Sequence, residues 1–324
     1  MFFCRLGSLR NTRGSGAAEC DEDLYLLMIY RRTSSTVTRA IHGSGAATLF
    51  NGDCLELLKS MPDDCVPLTI TSPPYCMGKE YESGNKVEDF SVAHELILPE
   101  VVRVTKPGGS VCWQVGYHVR DNNLLPLDYL VYDLMRTLCT EMVLRNRIMW
   151  TFGHGQHGYN RFSGRHEMIL WFTKGGGYHF DLDAVRVPQK YPGTRATRGP
   201  RKGELSGNPM GKNPADVWDI PNVKAKHVEK TAHPCQFPVA VPQRLIKALS
   251  RTGDLVFDPF SGVASTGVAA LIENRRFLGA DLNRVYCEVG LTRLNEAARG
   301  EAKVRPLEKD VHVPNPLSAT ATRP

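Results

Sequence analysis

Five consecutive residues, Thr71-Ser72-Pro73-Pro74-Tyr75, combine hydrogen-bond acceptors with an aromatic ring directly after an apolar, strand-like run. Because proline fixes φ and lacks an N–H group, the carbonyl oxygens of Ser72 and Pro73 remain available to a bound molecule. The ring of Tyr75 offers a flat surface for stacking. This combination suits a planar base that carries an exocyclic amino group and has been rotated out of its helix. A strand followed by a rigid proline turn is the alternative interpretation.

A second group of polar residues lies far downstream, in a predicted strand–loop–helix–strand unit. The loop is predicted over residues 259–265 and the helix over residues 266–272. Asp258 and Asp281 end the two strands and are 23 positions apart. Ligands of open α/β sheets bind at the carboxyl ends of strands, where an acid after the second strand can hold ribose hydroxyls. The loop lacks G-x-G-x-x-G, so we do not predict a dinucleotide; an ordinary strand–helix junction is the alternative.

The elements that must position these groups are also visible in the sequence. A strand and turn are predicted over residues 47–53 and an amphipathic helix over 54–61, with Asp53 as its N-cap. The strand that leads into Ser72 covers 66–70. Lys106-Pro107-Gly108-Gly109 predicts a turn. Further elements are strands over 110–115, 145–150 and 168–172 and a helix over 242–250.

Three segments of the chain resemble the motifs of DNA amino-methyltransferases, which transfer a methyl group from S-adenosylmethionine to N4 of cytosine or N6 of adenine. Residues 72–75 are similar to the catalytic motif, in the form most like that of the cytosine-N4 enzymes. Residues 258–262, Asp-Pro-Phe-Ser-Gly, are similar to the cofactor loop. Residues 233–238, His-Pro-Cys-Gln-Phe-Pro, are similar to a segment that covers the methionine end of the cofactor. We interpret Cys235 as an ordinary thiol, because the motif order differs from that of cytosine-C5 enzymes.

The resemblance implies an α/β fold: a Rossmann-like methyltransferase sheet with helices on both faces and a smaller basic target-recognition insertion. It implies that the catalytic residues are Ser72, Pro73, Pro74 and Tyr75. The residues that it implies for cofactor binding are Asp53, His233, Phe237, Pro238, Asp258, Pro259, Phe260, Ser261, Gly262, Ser265, Thr266 and Asp281. The family usually has a second small residue, often Gly, where Ala264 stands. Because alanine tolerates a positive φ poorly, we expect a stiffer or differently turned loop.

The motif order is that of the permuted β group of this family, since Ser72 precedes Asp258 and a basic stretch lies between them. Two strands need only be neighbours in the finished sheet, whatever their order along the chain. We therefore expect Ser72 and Asp258 to meet at a single cleft.

The basic stretch between Arg186 and Lys230 contains ten Lys or Arg against four Asp or Glu. Its Gly, Pro and Asn content makes it poor core material, and its charge suits phosphate contacts. By the resemblance, this stretch carries target recognition. The candidate DNA contacts are Arg195, Arg198, Arg201 and Lys202. A solvated loop is the alternative for each of them.

The implied activity is methyl transfer from S-adenosylmethionine to N4 of a flipped cytosine in double-stranded DNA. The Ser72 hydroxyl and the Pro73 carbonyl would accept hydrogen bonds from the amino group, and Tyr75 would stack on the base. Three alternatives stay open: adenine-N6 methylation, an RNA or protein-amide substrate, and a catalytically inactive DNA-binding relative. A cognate restriction endonuclease is a candidate partner, and a monomer or weak dimer is expected.

The chain has 324 residues, a net charge of +6 and nine scattered cysteines. No apolar run approaches the roughly 20 residues that span a bilayer, so we expect no membrane association and a cytoplasmic protein with reduced thiols.

We predict no metal, because the histidines of residues 153–158 lack zinc-type spacing; a mobile loop that closes near the base or the DNA is expected there. The expected segments are an extension (1–46), a target half (47–182), the basic insertion (183–230), a cofactor half (231–302) and a loose tail (303–324).

Overall fold

The computed structural model of the chain describes residues 27–30, 37, 40, 41, 43, 45–75, 87–120, 123–153, 155 and 157–309. The strands are β1 Leu27–Tyr30, β2 Ala47–Asn51, β3 Val66–Thr71, β4 Thr105–Val115, β5 Tyr117–Arg120, β6 Asn123–Pro126, β7 Met142–Thr151, β8 His166–Lys174, β9 Val217–Asp219, β10 Leu255–Asp258 and β11 Arg276–Asp281. The helices are α1 Cys54–Ser60, α2 Val87–Val104, α3 Leu127–Leu138, α4 Ala240–Leu249, α5 Ser265–Ile272 and α6 Arg284–Ala298, and a short 3₁₀ turn covers Asp183–Val185.

Nine of these strands form one mostly parallel sheet with the order β1-β2-β11-β10-β3-β4-β8-β7-β9. Only the pairings of β8 with β4 and with β7 are antiparallel among the described strands of this sheet. The strands β5 and β6 form a separate antiparallel pair. The predicted α/β class with a largely parallel sheet is therefore confirmed.

The sheet is covered on both faces because its central strands carry apolar side chains on both sides. In β10, Leu255 and Phe257 pack into a core with residues of α1, α2 and α3. Val256, between them, packs into a second core with residues of α4, α5 and α6. A strand buried on both faces explains why the run before Asp258 is apolar without alternation.

The predicted turn at Lys106 to Gly109 is found inside β4, where the register against β3 shifts. Val66 is paired with Thr105, but Leu68 is paired with Ser110. Gly108 has a φ of 72°, which a non-glycine residue adopts at a cost.

The sheet begins before the expected boundary at residue 47, because β1 pairs in parallel with β2 at the edge of the sheet. Residues Val37, Ala40 and Ile41 are buried in the first core. The glycine-rich part of the extension lies outside the described residues. Part of the expected loose tail is packed: Val304 and Leu307 lie against the second core.

Several elements were absent from the sequence-based predictions, namely β1, β5, β6, β9, α2, α3 and α6. No helix in the described part of the chain is both long and apolar enough to cross a membrane.

Candidate active site

The two predicted motifs lie side by side because β3 and β10 are neighbours in the sheet. Leu68 is paired with Val256 and Thr69 with Phe257. The strands run in parallel, so both end at the same edge. At that edge the Thr71 hydroxyl donates a hydrogen bond of 2.5 Å to the Asp258 carboxylate. Ser72 and the loop after Asp258 therefore start from adjacent points, as expected.

Around Tyr75, side chains from β4, β8 and the segment that follows β3 form a polar network. Gln114 at the end of β4 donates to the Tyr75 hydroxyl at 2.8 Å and also to the Glu167 carboxylate. The Tyr75 hydroxyl lies 3.3 Å from the same carboxylate oxygen and donates to it. The hydroxyl of Ser72 acts on the pKa of Tyr75 in the opposite direction to burial and lowers it. Glu167 reaches this point because β8 runs antiparallel to β4, so its first residues lie beside the last residues of β4.

The Tyr75 phenol keeps its proton in this network. Burial, followed by the charge of Glu167, holds the pKa of Tyr75 well above its usual range, so the phenol stays neutral. A phenol that donates to Glu167 still has oxygen lone pairs, one of which accepts from Gln114. Ser72 is itself partly exposed.

Gly116, one residue after β4, lets the Tyr75 ring lie close to the chain. A Cβ at this position would lie 3.2 Å from the Tyr75 ring and 3.5 Å from the Glu167 side chain. Pro73 is buried, whereas Pro74 and Tyr75 are partly exposed. The ring is thus held from its hydroxyl and from one edge, which leaves part of it accessible.

In the cofactor loop, the Asp258 side chain lies inside the protein and organises the turn. Asp258 is 4% exposed, and its carboxylate also accepts from the Phe260 N–H at 3.1 Å. Burial raises the pKa of Asp258 to about 6, although the hydrogen bond from Thr71 opposes the shift. The Asp258 carboxylate, which was predicted to bind the cofactor, therefore holds the conformation of this loop.

The turn after Asp258 uses two left-handed residues. Gly262 has a φ of 50° and Ala264 a φ of 58°. Ala264 thus adopts the turn that glycine would adopt more easily, at a conformational cost of about 1 kcal/mol or more. Arg293 of α6 supports this turn by donating to the Val263 carbonyl at 2.5 Å and to the Ser265 hydroxyl at 3.1 Å.

Most of the side chains in this loop that were predicted to bind the cofactor are buried or pack against other side chains. Pro259, Ser265 and Thr266 are buried, and Phe260 makes an edge contact with Trp113 at 6.2 Å between ring centroids. Ser261 is 6% exposed, and its Oγ, like Oγ1 of Thr266, has no hydrogen-bond partner among the described residues.

Asp281, at the end of β11, faces the same turn. Its two carboxylate oxygens accept from the N–H groups of Gly262 at 2.9 Å and Asn283 at 2.8 Å. Burial raises the pKa of Asp281, and these two hydrogen bonds oppose the shift. An ionised carboxylate has about four acceptor positions, so two remain for hydroxyl groups of a ligand.

Two other residues predicted to bind the cofactor, His233 and Asp53, have different local roles. The ring of His233 lies next to Gly262, where a Cβ would be 3.4 Å from His233 Nε2. His233 Nδ1 accepts from the Cys235 N–H at 3.2 Å, so in the neutral ring the proton is on Nε2, which lies toward Gly262. Asp53 is exposed and caps α1 through the Leu55 N–H at 2.9 Å, which confirms its capping role.

Phe237 and Pro238 instead contribute to the core. Phe237 makes an edge contact with Trp150 at 5.8 Å between ring centroids, and Pro238 is buried at the start of α4. These two positions hold the histidine segment in place.

The basic insertion contains a small hairpin around the predicted DNA contacts. Arg195 forms an antiparallel bridge with Leu205, and its guanidinium donates to the Gly203 carbonyl at 2.6 Å. Arg195 therefore has a role within the hairpin. The side chains of Arg198, Arg201 and Lys202 are exposed near its tip.

Sequence-based reasoning missed four residues of this site: Thr71 as the link between the motifs, Gln114, Glu167 and Arg293. Gln114 had a detectable signal, because it is a polar residue in an otherwise apolar strand. Glu167 and Arg293 come from elements whose neighbours become known only from the topology.

Comparison with known proteins agrees with this geometry. The sequence profile of a DNA methylase family, N6/N4 methyltransferases, matches residues 66–292. The type II methyltransferase M.BglII of Bacillus subtilis is 42% identical over 74% of this chain and 67% of its own length. The DNA adenine methyltransferase YhdJ of Escherichia coli K12 is 33% identical over 85% of this chain and 82% of its own length.

Solved structures show the same fold. The cytosine-N4-specific PvuII DNA methyltransferase has a TM-score of 0.62 at 20% identity and covers 80% of this chain and 94% of its own. A protein from Thermus thermophilus described as a DNA modification methylase, complexed with S-adenosyl-L-methionine, has a TM-score of 0.55 at 25% identity. It covers 78% of this chain and 96% of its own. On its motifs, its site and these matches, the chain belongs to the N6/N4 family of S-adenosylmethionine-dependent DNA methyltransferases.

Proposed function

We propose that this methyltransferase acts on N4 of a cytosine extruded from double-stranded DNA. The observation that carries the proposal is the place of Ser72, which directly follows Thr71, whose hydroxyl donates to Asp258, and stands three residues before Tyr75, whose hydroxyl donates to Glu167. The Ser72 hydroxyl oxygen is a neutral hydrogen-bond acceptor. It suits the amino group of cytosine, because that group is only weakly basic and its hydrogens need acceptors. The Ser-Pro-Pro-Tyr form of the motif, which resembles that of cytosine-N4 enzymes, supports the same choice.

The residues of the cofactor site fit S-adenosylmethionine. Asp281 has acceptor positions left for ribose hydroxyls, and the unpartnered Ser261 Oγ offers a hydrogen bond within the loop. His233 Nε2 lies against Gly262, where it can cover the methionine end. When bound, S-adenosylmethionine supplies the activated methyl group.

The role of the protein is to hold the amino group in a reactive orientation. Hydrogen bonds from the two amino hydrogens to the Ser72 oxygen and the Pro73 carbonyl would favour a pyramidal nitrogen whose lone pair points toward the cofactor loop. Orientation of reacting groups can contribute about 7–11 kcal/mol to lowering a barrier. The Tyr75 ring would stack on the base. Ser72 is a weak base, so the proton leaves after transfer and goes to water.

Adenine N6 is the second candidate, because YhdJ, named as an adenine methyltransferase, shares 33% identity with this chain. Mass spectrometry of nucleosides from duplex DNA incubated with the protein and labelled S-adenosylmethionine separates the two. We expect labelled N4-methylcytosine. Labelled N6-methyladenine alone would overturn the choice of base, and label in RNA but not in DNA would overturn the choice of substrate.

The proposal also includes DNA contacts by Arg198, Arg201 and Lys202 and a monomeric or weakly dimeric protein. Sequencing of the methylated DNA would give the recognition site, and protection of that site against a cognate endonuclease would test the partner. Sedimentation of the protein alone would test the oligomeric state.

A further inference from the structure

The loop between β7 and β8 rises from the wall of the target site. At its base, the Phe152 N–H donates to the Arg165 carbonyl at 3.0 Å. Gly164 lies so close to the hydroxyl of Tyr117 that there is no room for a Cβ. Glu167, which holds the Tyr75 hydroxyl, follows shortly after this base at the start of β8. The loop is therefore anchored beside the pocket proposed for the extruded base.

The tip of this loop presents two fully exposed aromatic side chains. The Gly158 N–H donates to the Ser163 hydroxyl at 3.1 Å, which closes a turn that projects Tyr159 and Phe162. Their relative exposures are 102% and 101%, whereas the next most exposed large hydrophobic side chain in the described part of the chain, Leu282, reaches 73%. An aromatic side chain buries about 150–250 Å² when it is covered, so both rings are suited to enter a partner.

The charge of the loop indicates which partner covers them. Residues 152–165 contain two arginines and two histidines and no acidic residue. Arg161, between the two aromatic residues, is exposed. A polyanion that presents flat apolar surfaces matches both properties, and the stacked bases of a duplex have this character.

The position of the loop beside the target pocket indicates which part of the DNA its tip would contact. When a nucleotide is extruded, a gap remains between the two neighbouring base pairs, and apolar side chains are known to insert between base steps. We propose that the tip of this loop, Tyr159 and Phe162, enters the base stack at the vacated position and keeps the target base extruded. Arg161 contacts the adjacent phosphate. This inference rests on the proposed action on duplex DNA.

The test uses a duplex with the sequence that the wild-type protein methylates, in which the fluorescent base 2-aminopurine replaces the target base and thymine stands opposite it, so that the substituted base is paired. Wild-type protein increases the fluorescence by unstacking that base, and Phe162→Ala and Tyr159→Ala reduce the increase, the double variant most. Leu138→Ala, which removes a half-exposed apolar side chain at the far end of α3, serves as the matched control and behaves as wild type.

Methyl transfer gives the decisive comparison. On a paired target, the double variant is slower by about tenfold or more, because extrusion from the stack is unfavourable without the insertion. On a duplex with a mismatched target base, which needs less energy to unstack, its rate returns to within about twofold of wild type. Affinity for S-adenosylmethionine stays unchanged, which shows that the fold is intact.

Three results would overturn the inference. Wild-type rates and fluorescence in the double variant would leave the proposed function standing and remove the role of the loop. Equal slowing on paired and mismatched targets would show that the loop acts elsewhere, and a change in sedimentation without DNA would show that the tip contacts a second copy. Failure of the wild-type protein to methylate any DNA would instead refute the proposed function.

Discussion

The cofactor loop and the target motif leave adjacent strands at the same edge of the sheet, yet they are built differently. In the cofactor loop, Asp258, Ser265 and Thr266 are buried. In the target motif, Ser72 and Tyr75 are partly exposed, and the Tyr75 hydroxyl belongs to a network with Gln114 and Glu167. We therefore expect the cofactor loop to act on its ligand mainly through backbone shape, and the target motif to act mainly through the Ser72 and Tyr75 side chains together with the Pro73 carbonyl.

This difference predicts how substitutions act. Changes in the cofactor loop should act mainly on the free energy of unfolding and on cofactor affinity. Changes in the target motif should act mainly on the rate of methyl transfer, because its side chains are accessible and contribute less to the core.

The largest effect is expected for Ser72→Ala. Removing one positioned hydrogen-bonding group from an active site typically lowers kcat by about 10²–10³. We expect a loss of this size in single-turnover methyl transfer, with affinity for S-adenosylmethionine unchanged. Ser72→Thr keeps the hydroxyl and should retain more of the rate. A Ser72→Ala protein that transfers at the wild-type rate would show that the target motif does not act through its side chain.

On the cofactor side, Asp258→Asn should change the pH dependence of stability. The pKa of Asp258 is about 6 in the folded protein and about 3.8 in the unfolded chain. In the unfolded chain this carboxyl group therefore ionises at a lower pH than in the folded protein. As the pH rises from about 4 to 6, the free energy of unfolding of the wild type falls by about 3 kcal/mol because of this group. The asparagine variant lacks this loss.

Urea unfolding at several pH values between 4 and 7 would measure this difference. We expect the stability of Asp258→Asn relative to wild type to increase over that interval. Parallel curves for the two proteins would mean that the carboxylate is not buried as described.

Thr71→Val breaks the hydrogen bond that joins the two regions. A buried carboxylate that loses a hydrogen-bond donor costs about 1–3 kcal/mol, so we expect destabilisation of that size. Thr69→Val, on the same strand, is the control, because the buried Thr69 hydroxyl has no partner among the described residues. Removing the Thr69 hydroxyl should leave the free energy of unfolding unchanged or raise it slightly. Equal destabilisation by both variants would show that the Thr71 hydrogen bond has no special role.

The smallest effect is expected for Ala264→Gly. Glycine relieves a left-handed strain of about 1 kcal/mol, but the variant loses a buried methyl group worth about 0.8 kcal/mol. Because the two effects nearly cancel, the free energy of unfolding should change by less than about 1 kcal/mol. Calorimetric titration with S-adenosylmethionine should also show little change. A large gain in affinity would mean that Ala264 distorts the loop.

The same comparison explains what the sequence could predict. The cofactor loop follows from local features: an apolar strand, an acid, a short turn and a helix of small residues. The meeting of Ser72 with Asp258 followed from the parallel arrangement. The roles of Gln114 and Glu167 did not, because they depend on β8 running antiparallel to β4. Helix α2 was not predicted; it continues through Pro99, a residue that usually marks a helix boundary.

The most direct test of the account is a crystal structure of the protein with S-adenosylhomocysteine and a duplex that contains its target. We predict an extruded base whose amino nitrogen lies within about 3.2 Å of the Ser72 hydroxyl oxygen, with the cofactor product against residues 258–262. A base that stays stacked, or that binds away from the end of β3 while the cofactor product occupies its loop, would contradict it.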